Sequence, residues 1–173
     1  MSFLRHFKAV TTFVFDVDGV LTDGSILIFD DGQQIRRMNI KDGYALQLAI
    51  ERGYRVVIVS GADCPAVAIR LEKLGINKVF MGVKNKKALV ERYLQDEHIP
   101  WDQVLFMGDD IPDYELMQYA GMPCAPADAV SEIRQAAKYI SSFAGGAGCV
   151  RDVIEKVLKV RGQWRLDTSI SSK

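Results

Sequence analysis

The stretch FVFDVDGVLTDG at residues 13–24 constrains the fold more than any other part of the chain. It begins with three apolar residues, which predict a strand buried on both faces, as in a parallel sheet. Asp16 and Asp18 follow, and the single residue between them would place both carboxylates on the same face of an extended chain. Gly19 then permits a sharp turn. Two crowded acids repel each other unless a cation binds them, and Mg²⁺ prefers such oxygen ligands.

A D-x-D-G sequence can also be a solvated turn after a strand, so the rest of the chain has to decide between the two interpretations. Short apolar runs there alternate with amphipathic segments. We predict further strands at 55–61, 78–82, 104–110, 122–126 and 139–142, and helices at 39–53, 65–74, 85–96, 112–121, 129–137 and 149–160. This alternation predicts a doubly wound, Rossmann-like parallel α/β sheet.

Two extended runs around Asp30-Asp31-Gly32 predict a β-hairpin at about 25–38, inserted after the first strand. The chain leaves no room there for a separate cap domain. We expect residues 1–173 to form one domain, with Asp42 as the N-cap of the helix after the hairpin. The polar segment from about 165 to 173 is expected to be frayed.

Charge and cysteine content exclude several classes of protein. Acidic and basic residues balance at 22 each, so bulk charge does not indicate a nucleic-acid partner. No apolar run approaches the roughly 20 residues of a membrane span. Cys64, Cys124 and Cys149 form no C-x-x-C pair, which favours free thiols in a reducing cytoplasm.

Polar side chains follow four of the predicted strands, where parallel strands bring their carboxyl ends to one edge of the sheet. They are Asp16 and Asp18, then Ser60-Gly61, then Lys86, and finally Gly108-Asp109-Asp110 with Asp113. Taken singly, each group can be a turn, a solvated helix start or a helix cap. Together they supply acids for a metal ion, a hydroxyl with backbone N–H groups, and a lysine, which suits a bound phosphoryl group.

The motifs DVDGVLT, Ser60, Lys86 and GDDIPD (108–113) resemble those of the haloacid dehalogenase superfamily of aspartate-nucleophile phosphatases. The stretches NIKDGYALQL (39–48), MGVKNK (81–86) and GGAGCVRDV (145–153) are more specific. They resemble the 3-deoxy-D-manno-octulosonate 8-phosphate phosphatases, a capless group of that superfamily. The resemblance covers nearly the whole chain.

The resemblance implies a Mg²⁺-dependent hydrolysis of the eight-carbon sugar-acid phosphate, in lipopolysaccharide precursor synthesis. Asp16 would be the nucleophile and Asp18 the general acid and base. Asp16, the backbone carbonyl of Asp18, and Asp109 would hold Mg²⁺. Ser60, Gly61 and Lys86 would bind the phosphoryl group, supported by Asp110 and by Asp113, which would position Lys86.

For the substrate as a whole, the resemblance implies contacts from Asp18, Asn39, Ile40, Lys41, Asp42, Gly43, Gln47, Arg70 and Lys86. It also implies a homotetramer in which a neighbouring subunit closes the site and the hairpin serves assembly. An exposed two-stranded ribbon is marginal alone, which agrees with that role.

The chain departs from these phosphatases at two positions. It has Ala62 and Ala147 where close relatives carry arginines. A phosphatase of a nine-carbon, sialic-acid-type 9-phosphate is therefore an alternative. Two non-enzyme alternatives are a phosphoacceptor receiver domain and a catalytically silent scaffold. A receiver domain would carry its nucleophile after a middle strand and would have no use for Asp18.

Overall fold

The computed structural model describes residues 3–171, which fold around a six-stranded parallel sheet. The six strands are β1 Thr12–Phe15, β4 Arg55–Val59, β5 Lys78–Phe80, β6 Val104–Met107, β7 Met122–Ala125 and β8 Tyr139–Ile140. Their order in the sheet is β5-β4-β1-β6-β7-β8. Because β1 lies in the middle, between β4 and β6, the residues that follow it reach the centre of the sheet edge.

Helices cover both faces of the sheet, which confirms the predicted doubly wound α/β fold. One face carries α1 Phe3–Ala9, α2 Ile40–Glu51, α3 Pro65–Lys73 and α7 Cys149–Val160, and the other carries α4 Lys86–Asp96, α5 Tyr114–Tyr119 and α6 Ser131–Ala136. All four residues of β1 are buried: Phe13 and Phe15 pack on the first face and Val14 on the second. This two-sided burial explains its continuous apolar sequence.

The predicted hairpin is present as β2 Leu27–Ile28 and β3 Gln34–Ile35, paired antiparallel. Gly32 has a φ of 85° in the connecting turn, which glycine adopts readily. The strands are short and exposed, and the side chain of Ile28 is 69% accessible. A bridge between Thr22 and Met38 joins the base of the hairpin to the loop that follows β1.

Several predicted boundaries differ from the structure. The N-cap of α2 is Asn39, whose side chain accepts from the Lys41 N–H, so the assignment of this cap to Asp42 was wrong. The strands predicted at 55–61, 78–82 and 104–110 each end two or three residues earlier, because their last residues belong to loops. The helix predicted at 112–121 begins as a 3₁₀ turn at Ile111–Asp113.

The C-terminal segment contacts α2 up to Ser171, which differs from the frayed tail that we predicted. The Tyr44 hydroxyl donates to the Asp167 carbonyl oxygen (3.1 Å), and the Gln47 side-chain amide donates to the Ser171 carbonyl oxygen (3.2 Å). Residues 172–173 of the predicted tail lie outside the described residues. Within residues 3–171, none of the helices is long and apolar enough to cross a membrane.

Candidate active site

Asp16 directly follows β1 and is held by local hydrogen bonds. Its N–H donates to a backbone carbonyl of β6 (3.1 Å), and its carboxylate accepts from the Val17 N–H (2.7 Å). The chain then makes a tight turn at Val17–Leu21, in which Asp18 and Gly19 have non-helical backbone dihedrals and Gly19 has a φ of 79°. A side chain at position 19 would overlap the Asp109 carboxylate, so this close contact requires glycine.

Asp18 lies in the same turn but has a different partner from Asp16. The expected strand geometry for this pair was wrong, because β1 ends at Phe15, before either acid. The guanidinium of Arg36 binds the Asp18 carboxylate through two hydrogen bonds, from Nε to Oδ1 (2.7 Å) and from Nη2 to Oδ2 (3.2 Å). Both acids nevertheless line one cavity.

Lys86, the first residue of α4, joins two buried carboxylates. Its Nζ lies 2.9 Å from Oδ1 of Asp16 and 2.7 Å from Oδ1 of Asp113. Burial alone would lower the pKa of Lys86, but the two carboxylates together raise it above its ordinary value. Lys86 is therefore a cation within the cavity, and Asp113 is paired with it.

Three carboxylates form an acidic cluster: Asp16, Asp109 and Asp113 each offer an oxygen, all within 4.8 Å of one another. Burial, followed by the charge of Asp113, raises the pKa of Asp16 to about 8 despite Lys86. Burial and the charges of Asp113 and Asp110 raise the pKa of Asp109 to about 7. One lysine does not balance three carboxylates, so the cluster fits a divalent cation, and its oxygen ligands favour Mg²⁺ over Zn²⁺.

The cluster forms one wall of an open cavity of about 280 Å³ at the carboxyl ends of β1, β4 and β6. The structure brings together here all eight residues predicted to act on the phosphoryl group. They are Asp16, Asp18, Ser60, Gly61, Lys86, Asp109, Asp110 and Asp113. Ser60 is 2% accessible, and its hydroxyl accepts from the Ala62 N–H (3.2 Å). Asp110 accepts from the Ile111 N–H and starts the 3₁₀ turn that carries Asp113.

The residues predicted to bind the sugar are divided between other places. Ile40 and Arg70 line a second cavity of about 350 Å³ between the hairpin and α3. Lys41 lines a third, of about 440 Å³, together with Ala147 and Arg151. The structure therefore separates these side chains from the acidic cluster, and their contact with substrate stays a prediction.

Asn39, Asp42, Gly43 and Gln47 make structural contacts within the subunit. The Asn39 amide donates to the Gly146 carbonyl oxygen (3.2 Å). Asp42 is 1% accessible and accepts from the Arg151 N–H (2.7 Å), so it caps the first turn of α7. Its Oδ2 has no hydrogen-bond partner among the described residues, and burial raises its pKa to about 6. Gly43 packs beside Arg70, which would crowd any side chain at this position.

Sequence reasoning missed two features of the site. The first is Arg36, which nothing in the hairpin sequence distinguishes from its neighbour Arg37. The second is the support that the Gly145-Gly146 pair gives to the turn of Asp18. The Gly146 N–H donates to the Val20 carbonyl oxygen (2.9 Å), and a side chain on either glycine would overlap the backbone of residues 19–23. The run GGAG was the only sequence indication of this contact.

We expect Mg²⁺ to raise the melting temperature of the protein more at pH 8 than at pH 6. The raised pKa values of Asp16 (about 8) and Asp109 (about 7) mean that the metal-free folded protein binds protons that the unfolded chain releases near pH 4. Through these groups, the free energy of unfolding falls as pH rises from about 4 to 8. The metal binds the ionised carboxylates, so its stabilising effect grows over that range.

Thermal melts with and without Mg²⁺ at the two pH values measure this difference. Asp109→Ala should remove most of the Mg²⁺ effect, whereas Asp96→Ala, at an exposed position on α4, should leave it intact. An equal Mg²⁺ effect at both pH values would contradict the prediction.

Comparisons with known proteins found related sequences and related structures. Residues 78–151 match the family model of haloacid dehalogenase-like hydrolases. The chain is 33% identical over 150 residues to 3-deoxy-D-manno-octulosonate 8-phosphate phosphatase KdsC of Escherichia coli K12, covering 87% of this chain and 80% of that protein.

Two solved structures are also similar. The 3-deoxy-D-manno-octulosonate 8-phosphate phosphatase of Yersinia pestis has a TM-score of 0.90 at 28% identity, covering 92% of this chain and 86% of that one. The phosphatase of the same name from Moraxella catarrhalis was solved in complex with magnesium ion, phosphate ion and KDO. It has a TM-score of 0.88 at 29% identity, covering 91% of this chain and 90% of that one.

Proposed function

The chain belongs to the haloacid dehalogenase-like hydrolases, in the family of the 3-deoxy-D-manno-octulosonate 8-phosphate phosphatases, and we propose that it hydrolyses this sugar-acid phosphate in the cytoplasm. It is a phosphoric monoester hydrolase. The observation that carries the proposed reaction is the buried array of Asp16, Lys86 and Asp113, next to Asp109 and at the wall of the same cavity as Asp18. The product would enter lipopolysaccharide precursor synthesis.

In the first half of the reaction, Asp16 attacks phosphorus and the bond to the sugar oxygen breaks. The products of this half are an aspartyl-phosphate and the free sugar acid. Lys86 is suited to pair with the phosphoryl oxygens, because it is charged, buried and fixed by Asp113. Ser60 and the backbone N–H groups near Gly61 line the same cavity and can orient the phosphoryl group.

Asp18 moves the proton in both halves of the reaction. It donates a proton to the departing sugar oxygen, and then accepts one from the water that cleaves the aspartyl-phosphate. This exchange restores the Asp16 carboxylate and the protonated Asp18, and it releases inorganic phosphate. Asp18 suits the role better than Asp16 because its side chain is 34% accessible at the cavity wall and can meet the sugar oxygen.

Asp16 and Asp109, with the Asp18 backbone carbonyl, would hold Mg²⁺. Asp113 is the third carboxylate within reach of them. When bound, Mg²⁺ would screen the negative charges of the nucleophile and the phosphoryl oxygens from each other. Without such screening, the ionised form of Asp16 that attacks phosphorus would be scarce near neutral pH, because burial raises its pKa to about 8.

The second cavity is a suitable place for the sugar acid. It adjoins the catalytic cavity, since Arg36 lines the second cavity and its partner Asp18 lines the first. Arg70 lies in its lining and can offer a guanidinium to the substrate carboxylate. The nine-carbon alternative rests on Ala62 at the catalytic cavity and Ala147 at the third cavity, the two positions at which the chain departs from the family resemblance, because alanine leaves space at both.

Phosphate release from a panel of compounds with Mg²⁺ tests the proposed substrate. The panel comprises the eight-carbon acid 8-phosphate, a nine-carbon acid 9-phosphate, a neutral hexose phosphate and an aryl phosphate. We expect kcat/KM for the eight-carbon acid to exceed that for each other sugar by at least ~10-fold. Preference for the nine-carbon acid would replace the proposal by its alternative. Excess chelator should abolish all turnover, and turnover that survives it would exclude the metal site.

We further propose that a homotetramer closes the active site and that the hairpin forms the contact between subunits. The side chains of Ile26, Leu27, Ile28, Phe29 and Ile35 are all exposed there, an apolar cluster that contact with another subunit would cover. The catalytic cavity is open within one subunit, so a neighbour would also exclude water from it. We propose no nucleic-acid or membrane partner.

Ile28→Asp is expected to give species smaller than a tetramer, because a charge would be buried unpaired between subunits. These species should still hydrolyse an aryl phosphate but lose most activity on the sugar acid. Light scattering measures the size of these species, and kinetics on both substrates measures their activities. Ile140→Asp, at an exposed position on β8, is the matched control and should change neither the oligomeric state nor the activity on either substrate. A wild-type monomer with full sugar-acid activity would exclude the assembly model.

A further inference from the structure

Arg36 connects the exposed hairpin to the catalytic cavity. It follows β3 directly, yet its side chain is only 5% accessible. Its guanidinium forms a two-pronged contact with the Asp18 carboxylate, from Nε at 2.7 Å and from Nη2 at 3.2 Å. Such a paired contact fixes the plane of a carboxylate as well as its position.

The surroundings of Arg36 hold its guanidinium in place. The hydrogen bonds to Asp18, and further contacts with Cys64, raise the pKa of Arg36 above its ordinary value, so it stays charged. The next two residues also bind the loop after β1: Arg37 pairs with Asp23 (2.6 Å), and Met38 bridges to Thr22. The base of the hairpin is therefore fastened to the loop that carries Asp18.

We propose that Arg36 is a positioning residue that aims the Asp18 carboxylate at the sugar oxygen of the substrate, so that the hairpin serves the active site of its own subunit. This inference rests on the proposed function, in which Asp18 transfers the proton. It adds to the hairpin a role that is separate from assembly.

The need for such positioning follows from the exposure of Asp18. One third of its side chain faces solvent, and its neighbours in the turn, Val17 and Gly19, offer no side-chain hydrogen bond that would hold it. Without Arg36, the carboxylate could rotate toward water. A carboxylate has about four lone-pair sites, so the two bonds from Arg36 leave others that can carry the transferred proton. Proton transfer depends on alignment within hydrogen-bonding distance, so rotation would slow it.

The test compares Arg36→Met with Arg37→Met on two substrates in the full-length protein. Both variants lose an arginine at the same end of the hairpin, but only Arg36 contacts Asp18. We expect Arg36→Met to lower kcat on a sugar phosphate by ~10- to 100-fold, and on an aryl phosphate by less than ~3-fold, because an aryl leaving group needs little protonation. Arg37→Met should leave the ratio of the two rates unchanged. Arg36→Lys should recover part of the loss, since it restores the charge without the two-pronged contact.

A double-mutant cycle with Asp18→Asn separates this role from a general loss of structure. If Arg36 acts through Asp18, adding Arg36→Met to Asp18→Asn should not change the sugar-to-aryl rate ratio further. An additive change, or an equal loss on both substrates in Arg36→Met alone, would overturn the proposal. The cycle also distinguishes a failure of the Arg36 proposal from a failure of the proposed function. In the second case, Asp18→Asn alone would lower the rates on the sugar phosphate and the aryl phosphate equally. The aryl rate, read on the same samples, corrects for any unfolded fraction.

Discussion

Asp16→Asn is expected to lower turnover of every phosphate monoester by roughly 10⁴-fold or more, because an amide cannot serve as the nucleophile that forms the acyl-phosphate. The fold should survive. Asparagine keeps the acceptor for the Val17 N–H, and Lys86 keeps its contact with Asp113. The substitution also replaces a carboxyl group whose ionisation is disfavoured by burial, which raises its pKa to about 8.

Steady-state phosphate release measures the loss of turnover, and a thermal melt on the same sample measures whether the fold is retained. Asp96→Asn, at an exposed position on α4, is the matched control and should retain full activity. A phosphate mimic such as BeF₃⁻ should bind to Asp16 in the wild type and not in the variant. Activity above a few per cent of wild type in Asp16→Asn would rule out Asp16 as the nucleophile.

Asp18→Asn is expected to have the second-largest effect, and one that depends on the leaving group. Loss of a general acid should slow release of a sugar alcohol by ~10²- to 10⁴-fold, but release of an aryl alcohol by about 10-fold or less. The backbone carbonyl proposed as a metal ligand is unaltered, so the Mg²⁺ requirement should stay the same. Arg36 can still donate one hydrogen bond to the asparagine oxygen, which limits any change in the loop.

Kinetics on a series of phosphate esters with leaving groups of increasing pKa measures this dependence. Asp23→Asn is the matched control, because Asp23 lies in the same loop and pairs with the adjacent arginine, Arg37. Asp23→Asn should change the rates on all esters by the same factor, whatever the pKa of the leaving group. Equal losses across the series in Asp18→Asn would show that Asp18 does not protonate the leaving group.

Local patterns were sufficient to predict most of the fold. The apolar run before Asp16 is β1, because a strand covered by helices on both faces has no polar side to present. The hairpin was predicted from an Asp-Gly turn, and α7 has the predicted bounds of Cys149–Val160. Each of these depends on neighbours in sequence. Strand ends were less accurate: the short polar and glycine residues after Val59 and Met107 were included in the predicted strands, but they leave the sheet.

Contacts between distant residues were beyond the reach of sequence patterns. Asp42 was predicted to cap α2, but it is buried and caps α7, which begins more than a hundred residues later. Asp18 was predicted to share a strand face with Asp16, but it lies in the turn after β1 and is bound to Arg36 of the hairpin. In both cases the residue type indicated a polar partner, and only the packing of the elements determined which partner it was.

The sequence by itself determined the α/β class, the hairpin and the order in which the acids, Ser60 and Lys86 follow the strands, because these depend on local periodicity and turn chemistry. The parallel sheet then brings those residues to one edge, because parallel strands place their carboxyl ends at the same edge. The tertiary structure alone decided that Asp113 joins Asp16 and Asp109, that Arg36 holds Asp18, and that the C-terminal segment lies on α2. Hydrogen bonds and ion pairs act over a few ångströms, so they become determined only once distant elements have packed.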